Sequence, residues 1–257
     1  RKLFKMTSSI KVALVTGGGT GIGRSSALHL QKSGFQVVIT GRRQEPLSET
    51  IQLGSDAHPK IDAILADVSI GSSVKELFGE IERRYARLDV LFNNAGMGAP
   101  RVSIEDLSES DWRRAVNVNL TGSFLCAQAA FGLMKRQTPQ GGRIINNGSI
   151  SAHAPRPNTC AYTATKHAVT GLTKSLALDG RPFRIAASQI DIGNADTAIG
   201  ERFKAGVPQA NGDIMVEPVI DASYCGEAVA YMASLPLEAN VLTMTLMATN
   251  MPFVGRG

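Results

Sequence analysis

A chain of 257 residues, 43% hydrophobic and 19% charged, has the composition of an ordinary globular protein and a length that suits one large α/β domain. That balance excludes fibrous and intrinsically disordered classes, and no apolar run reaches the roughly 18 residues a membrane-spanning helix needs. The net charge of +5 is scattered over pairs such as Arg42-Arg43, Arg83-Arg84 and Arg113-Arg114, so it reads as a solvated basic surface with no nucleic-acid partner. Cys126, Cys160 and Cys225 lie far apart with no CxxC or Cys/His spacing, which points to reduced thiols in a cytoplasmic protein and to no metal site. The basic start, Arg1 to Met6, lacks the apolar core of a secretory signal, and residues 1–9 are expected as a flexible extension.

The first predicted strand, Val12–Thr16, runs directly into Gly17-Gly18-Gly19-Thr20-Gly21-Ile22-Gly23 and a helical segment, Ile22–Ser33. A glycine pattern in that position is a phosphate cradle. Gly17 permits a tight turn, Gly21 admits a phosphate to the backbone, and Gly23 lets helix and strand pack closely. The amides at the helix start, around Thr20 and Ile22, then face a pyrophosphate. The second strand, Gln36–Thr40, ends in Gly41-Arg42-Arg43, with no acid to bind a ribose 2′-hydroxyl. Two guanidiniums there suit a 2′-phosphate, so NADP(H) is the expected cofactor and NAD(H) the alternative.

Further strands are predicted at Asp62–Ala66, Val90–Asn93, Arg143–Asn147, Ile185–Ile190 and Thr243–Met247. Between them lie helix-period segments at Ser72–Ala86, Asp111–Arg136 and Ala161–Gly180. Several strands are continuous apolar runs, as in a parallel sheet covered on both faces. The alternation gives a single doubly wound α/β (Rossmann) domain spanning the chain, with a mostly parallel sheet of about seven strands.

Within Ala161–Gly180, Tyr162 and Lys166 are four residues apart and share one helix face. A free phenol, with a pKa near 10, is a poor base at neutral pH, and a neighbouring ammonium favours its ionised form. Ser149 closes the fifth strand at the carboxyl edge, where open α/β sheets bind ligands, and its hydroxyl can stabilise charge developing on a substrate oxygen. Ser151 competes for that role.

The ordered set TGGGTGIG (Thr16–Gly23), NNAG (Asn93–Gly96), VNL (Val118–Leu120), Ser149 and YTATK (Tyr162–Lys166) resembles the short-chain dehydrogenase/reductase family over nearly the whole chain. The resemblance implies hydride transfer between NADP(H) and a small ketone or secondary alcohol. Tyr162 is then the general acid/base, Lys166 lowers its pKa and binds the nicotinamide ribose, and Ser149 polarises the carbonyl. By the same resemblance Asn119 holds a relay water. Asn94, Ala95 and Gly96 lie under the adenosine ribose, Asp67 and Val68 touch the adenine, and Gly193 and Thr197 border the nicotinamide. The competing reading is a cofactor-binding relative without redox turnover, serving as sensor, scaffold or cyclisation catalyst. Ile192-Gly193 stands where the family has Pro-Gly, which removes a fixed φ angle but no side-chain chemistry.

The loop His153–Pro157, the turn Met97–Arg101 and the segment Ala198–Val216 are expected to line the substrate pocket, and such loops vary on this fold. Arg156, beside two prolines, is expected to face solvent, with a contact to an anionic substrate as the alternative, and His153 is not required as a base. The helices Asp111–Arg136 and Ala161–Gly180 carry apolar residues on more than one face, with Ala127, Ala130, Leu133, Ala168, Leu172, Leu176 and Ala177 interrupting their polar sides. With the resemblance, that predicts a homodimer or homotetramer.

Overall fold

The structure is a computed structural model and describes residues 10–197, 200, 203 and 205–254. The N-terminal extension expected over 1–9 and part of the pocket segment (198, 199, 201, 202 and 204) lie outside the described residues.

Seven parallel strands form the sheet: β1 (Val12–Thr16), β2 (Gln36–Gly41), β3 (Ile61–Leu65), β4 (Val90–Asn93), β5 (Gly142–Asn147), β6 (Ile185–Ile192) and an edge strand, Thr243–Leu246. Their order is edge strand, β6, β5, β4, β1, β2, β3. The chain therefore winds outward twice from the middle, and the order reverses between β1 and β4. A crevice opens at such a switch point, beyond the strands' carboxyl ends. Four two-residue strands lie between β6 and the edge strand: β7 (Ala195–Asp196), β8 (Val207–Pro208), β9 (Ile214–Met215) and β10 (Ile220–Asp221). The edge strand is thus β11.

Strand alternation divides the core in two. Ala13, Val15, Val37, Ile39 and Phe92 point toward α1 (Gly21–Lys32), α2 (Gln44–Leu53) and α7 (Ala222–Ser234). Val12, Leu14, Val38, Leu91 and Ile144 point to the opposite core, under α3 (Gly71–Tyr85) and α5 (Gly122–Arg136). Helix α3 shows how the sequence specifies this. Val74, Leu77, Phe78 and Ile81 recur at helical spacing and are all buried. Each contributes about 1.5–3 kcal/mol by leaving water. The helix then stops at Ala86 in the left-handed region, φ 56°.

The predicted helix Asp111–Arg136 is α4 (Glu109–Val116) and α5 joined by a five-residue π-helical turn, Asn117–Thr121. Such turns gather at functional positions, and this one carries Asn119. The reading of Ala127, Ala130 and Leu133 as breaks in a polar face is corrected. All three are buried in the chain's own core, facing the sheet and α3. The exposed apolar side chains of these helices are Trp112 and Phe124. On α6 (Cys160–Asp179), Ala168, Leu172, Leu176 and Ala177 are half-buried. Among the described residues no helix is long and apolar enough to cross a membrane.

Candidate active site

At the carboxyl edge the turn after β1 is shaped by its glycines. Gly17 and Gly21 hold φ of 66° and 51°, the left-handed region that side chains disfavour. Gly23 leaves no room for more than hydrogen, because a Cβ there would sit 2.1 Å from the Gly17 oxygen. The turn is also tied from outside. Asn94 Nδ2 donates to the Thr16 oxygen at 2.9 Å and to the Gly17 oxygen at 3.3 Å, while Thr16 Oγ1 accepts from the amides of Asn94 and Ala95. Helix α1 begins here with no side-chain cap and no acidic residue in its first turn. Its free amides and positive dipole end fit an anionic diphosphate.

A cleft of about 280 Å³ runs from this turn along the sheet edge. Gly17, Thr20, Gly21, Ile22 and Gly23 line one side, with Asn94, Ala95 and Gly96 beside them. Ser149, Tyr162 and Lys166 line the other, with Gly193 and Thr197 across from them. A second cleft of about 170 Å³ adjoins the first through Gly17, Thr20, Ala95 and Gly96, and its wall holds Arg42, Arg43, Asp67 and Val68. The sequence-predicted binding residues therefore border one continuous groove. Burial pushes the Asp67 carboxyl up, but bonds from the Ser69 hydroxyl and amide, with the Arg42 charge, outweigh it and lower its pKa. Arg42 and Arg43 are both exposed, and their positive charge projects over this end of the groove.

At the other end, α6 presents Tyr162 and Lys166 one turn apart. Lys166 is buried, donates to the Asn147 oxygen at 2.7 Å, and stands 5.5 Å from the Tyr162 ring centroid. Ser149 Oγ accepts from the Ser151 amide at 3.1 Å, and both serines line the cleft. Asn119 lies behind the wall. Its Oδ1 accepts from the Met97 amide at 2.8 Å, and its Nδ2 donates to the Met97 oxygen and to Thr165. It braces the loop after β4 against α6. Asn147 Oδ1 is buried beside Lys166's acceptor with no partner of its own.

A family model described as short chain dehydrogenase matches residues 11–207. The chain belongs to the short-chain dehydrogenase/reductase family. It is 36% identical over 207 residues to the 3beta-hydroxysteroid dehydrogenase of Mediterraneibacter gnavus, covering 80% of this chain and 74% of that protein. Among solved structures it resembles a single-substitution variant of actinorhodin polyketide ketoreductase with NADPH, at 26% identity and TM-score 0.82, covering 93% of this chain and 96% of that one. It also resembles the 3-ketoacyl-(acyl-carrier-protein) reductase of Brucella melitensis complexed with NADH, at 25% identity and TM-score 0.82, over 93% and 98% of the two chains. This short-chain dehydrogenase is therefore an oxidoreductase that acts on alcohol or carbonyl groups with a nicotinamide cofactor.

Several site residues escape a sequence reading. Arg24 donates to the Gly19 oxygen from Nε at 3.0 Å and from Nη2 at 2.6 Å, pinning the glycine turn from behind. A cation in the first turn of a helix opposes the dipole, and that is a signal in the sequence that it has another partner. Asp191, fully buried, accepts from the Ser149 amide at 2.9 Å and Gln189 at 2.7 Å, and bonds His153 Nε2 at 2.8 Å. Arg156 corrects an expectation. It is buried on the cleft wall and forms a bidentate ion pair with buried Glu217, far from facing solvent. At the C-terminus, Met251 packs on Ile150, and the Phe253 ring meets His153 edge-on, with centroids 6.5 Å apart.

Proposed function

We propose that this short-chain dehydrogenase is an NADP(H)-dependent reductase of small ketones, and oxidises the corresponding secondary alcohols in reverse. The observation that carries the reading is the shared groove. A helix-start phosphate cradle, two arginines at the ribose end and a Tyr-Lys-Ser group at the far end border one continuous space. Bound there, the nicotinamide cofactor supplies or accepts the hydride. Arg42 and Arg43 take the 2′-phosphate by charge-assisted bonds. Lys166 orients the nicotinamide ribose, and its ammonium favours negative charge on the Tyr162 oxygen. Tyr162 gives its proton to the substrate oxygen during reduction and removes it during oxidation. Ser149 donates to that same oxygen as its charge grows, from a position fixed by the Asp191 bond to its amide. Asn119 holds the relay water, from a π turn that its side-chain bonds to Met97 and Thr165 fix in place. One domain carries all of these parts, in the cytoplasm, as a dimer or tetramer joined through the helices that expose Trp112 and Phe124.

The test is Tyr162→Phe, assayed by NADPH oxidation over a panel of neutral ketones. Removing a positioned acid lowers the rate about 10²- to 10⁴-fold. NADPH affinity and melting temperature stay near those of the unaltered protein. A variant that keeps most of its turnover removes Tyr162 from the mechanism.

A further inference from the structure

The substrate end of the cleft is lined by Met97, Ile150, Thr159, Ile192, Phe203 and the guanidinium-bearing Arg156. A cation on a substrate pocket wall ordinarily advertises an anionic substrate. Here three of its five N–H donors are held within the chain. Arg156 Nη1 and Nη2 bond the two carboxylate oxygens of Glu217, and Nη2 also donates to Asn194 Oδ1 at 3.1 Å. The guanidinium face stacks on Phe203, 5.1 Å from the ring centroid. Glu217 is closed in as well. It accepts from Asn194 Nδ2 and Gln209 Nε2, each at 2.8 Å, and its amide donates to the Phe203 oxygen at 3.0 Å. Arg156 comes from the loop after β5, Asn194 from the end of β6, and Gln209 and Glu217 from the segment that leads to α7. The other cations on the wall, Arg101 and Lys166, are also engaged within the chain.

We infer that the buried Arg156–Glu217 pair determines specificity by cancelling the Arg156 charge at the substrate end, so that the site takes neutral carbonyl compounds and rejects carboxylates. The inference rests on the ketone-reductase reading and names the substrate class of that same site. A substrate carboxylate placed there must either lie unpaired beside Glu217 or displace it from a bidentate partner. Both routes bury a charge without compensation. A neutral ester or ketone of the same shape leaves the Arg156–Glu217 pair intact.

Matched pairs decide the matter: keto esters and the free keto acids from which they derive, over several chain lengths, with NADPH. The ester-to-acid ratio of kcat/KM in the unaltered protein is expected to exceed about tenfold, the loss that follows from an uncompensated charge. Glu217→Gln leaves Arg156 cationic and without its carboxylate, so the ratio falls about tenfold or more as acids gain. In Arg156→Met/Glu217→Leu, where both charges are gone and volume is kept, the ester preference remains. Equal or better turnover of the acids by the unaltered protein overturns the inference, and that measurement needs no variant to fold. An unchanged ratio in a folded Glu217→Gln overturns it too, as does loss of ester preference in the neutral double variant. Failure to reduce either member of any pair refutes the reductase reading itself, a result distinct from turnover with the wrong ratio.

Discussion

Gly23→Ala tests whether the turn after β1 is shaped for a ligand's phosphates. The added Cβ would lie 2.1 Å from the Gly17 oxygen, 2.8 Å from the Gly17 carbon and 2.5 Å from Asn94 Nδ2. Ordinary contacts begin near 3.4 Å, so the Gly17 peptide must retreat by roughly 1 Å or more. Backbone cannot yield as a flexible side-chain tip can, and Asn94 gives up its bonds to Thr16 and Gly17 in the same movement. Overpacking of this kind costs about 1–3 kcal/mol, a drop of several degrees in Tm for a chain of this size. The functional loss is larger, because a misplacement of about 1 Å at the binding amides is worth up to about 10²-fold. Titrating NADPH fluorescence against each protein reads the affinity directly. Gly34→Ala is the control. Gly34 has φ of 87° but nothing within 4 Å of the new Cβ, so that variant loses about 1 kcal/mol through backbone strain and keeps its affinity. If Gly23→Ala binds NADPH within twofold of the unaltered protein, the cradle argument fails.

Replacing Arg42 and Arg43 together by Ala is expected to erase most of the preference for NADPH over NADH, about 2–3 kcal/mol of charge-assisted bonding. Equal affinity for both cofactors in the unaltered protein removes the 2′-phosphate assignment. Burial pushes the Glu217 carboxyl up, but bonds from Arg156, Gln209 and Asn194 and the Arg156 charge hold it at about 2. A depressed folded-state pKa contributes stability above the ordinary value near 4.5 and loses it as pH falls toward 2. Glu217→Gln therefore costs about 3 kcal/mol in urea unfolding at pH 7 and much less near pH 2.5, and an equal cost at both contradicts the pairing. Light scattering is expected to give two or four times the 27.3 kDa subunit mass, and Phe124→Asp to lower it; a 27.3 kDa particle in the unaltered protein refutes the assembly.

The sheet was legible because its strands encode themselves locally. Val12–Thr16, Val90–Asn93 and the apolar stretch of β5 are continuous hydrophobic runs, and the structure places them within a residue or two of expectation. Helix α3 was legible for the same reason, through its period. Among the described residues, α2 and α7 lie outside the segments that periodicity marks out. Helix α2 is short and carries Pro46 in its first turn, and α7 (Ala222–Ser234) is apolar on so many sides that no single stripe defines it. The two-residue strands β7 to β10 have no pattern of their own, because each exists only where its partner lies.

The same division governs the site. The glycine turn and the Tyr162/Lys166 spacing are short-range devices, set by what one residue's backbone or the next helical turn requires, so a few adjacent letters suffice to read them. Arg156 and Glu217 are 61 residues apart, and His153 and Asp191 are 38 apart. Neither pair has a period, and each member taken alone reads as a solvated polar residue, as Arg156 does beside two prolines. Only burial turns such a residue into a paired one, since an isolated charge cannot be left in the interior. Chemistry common to a fold can rest on local geometry, but the choice of substrate depends on which loops meet over the cleft. In this chain those loops meet through the Arg156–Glu217 contact, so the residues hardest to read along the chain are the ones that set what the cleft accepts.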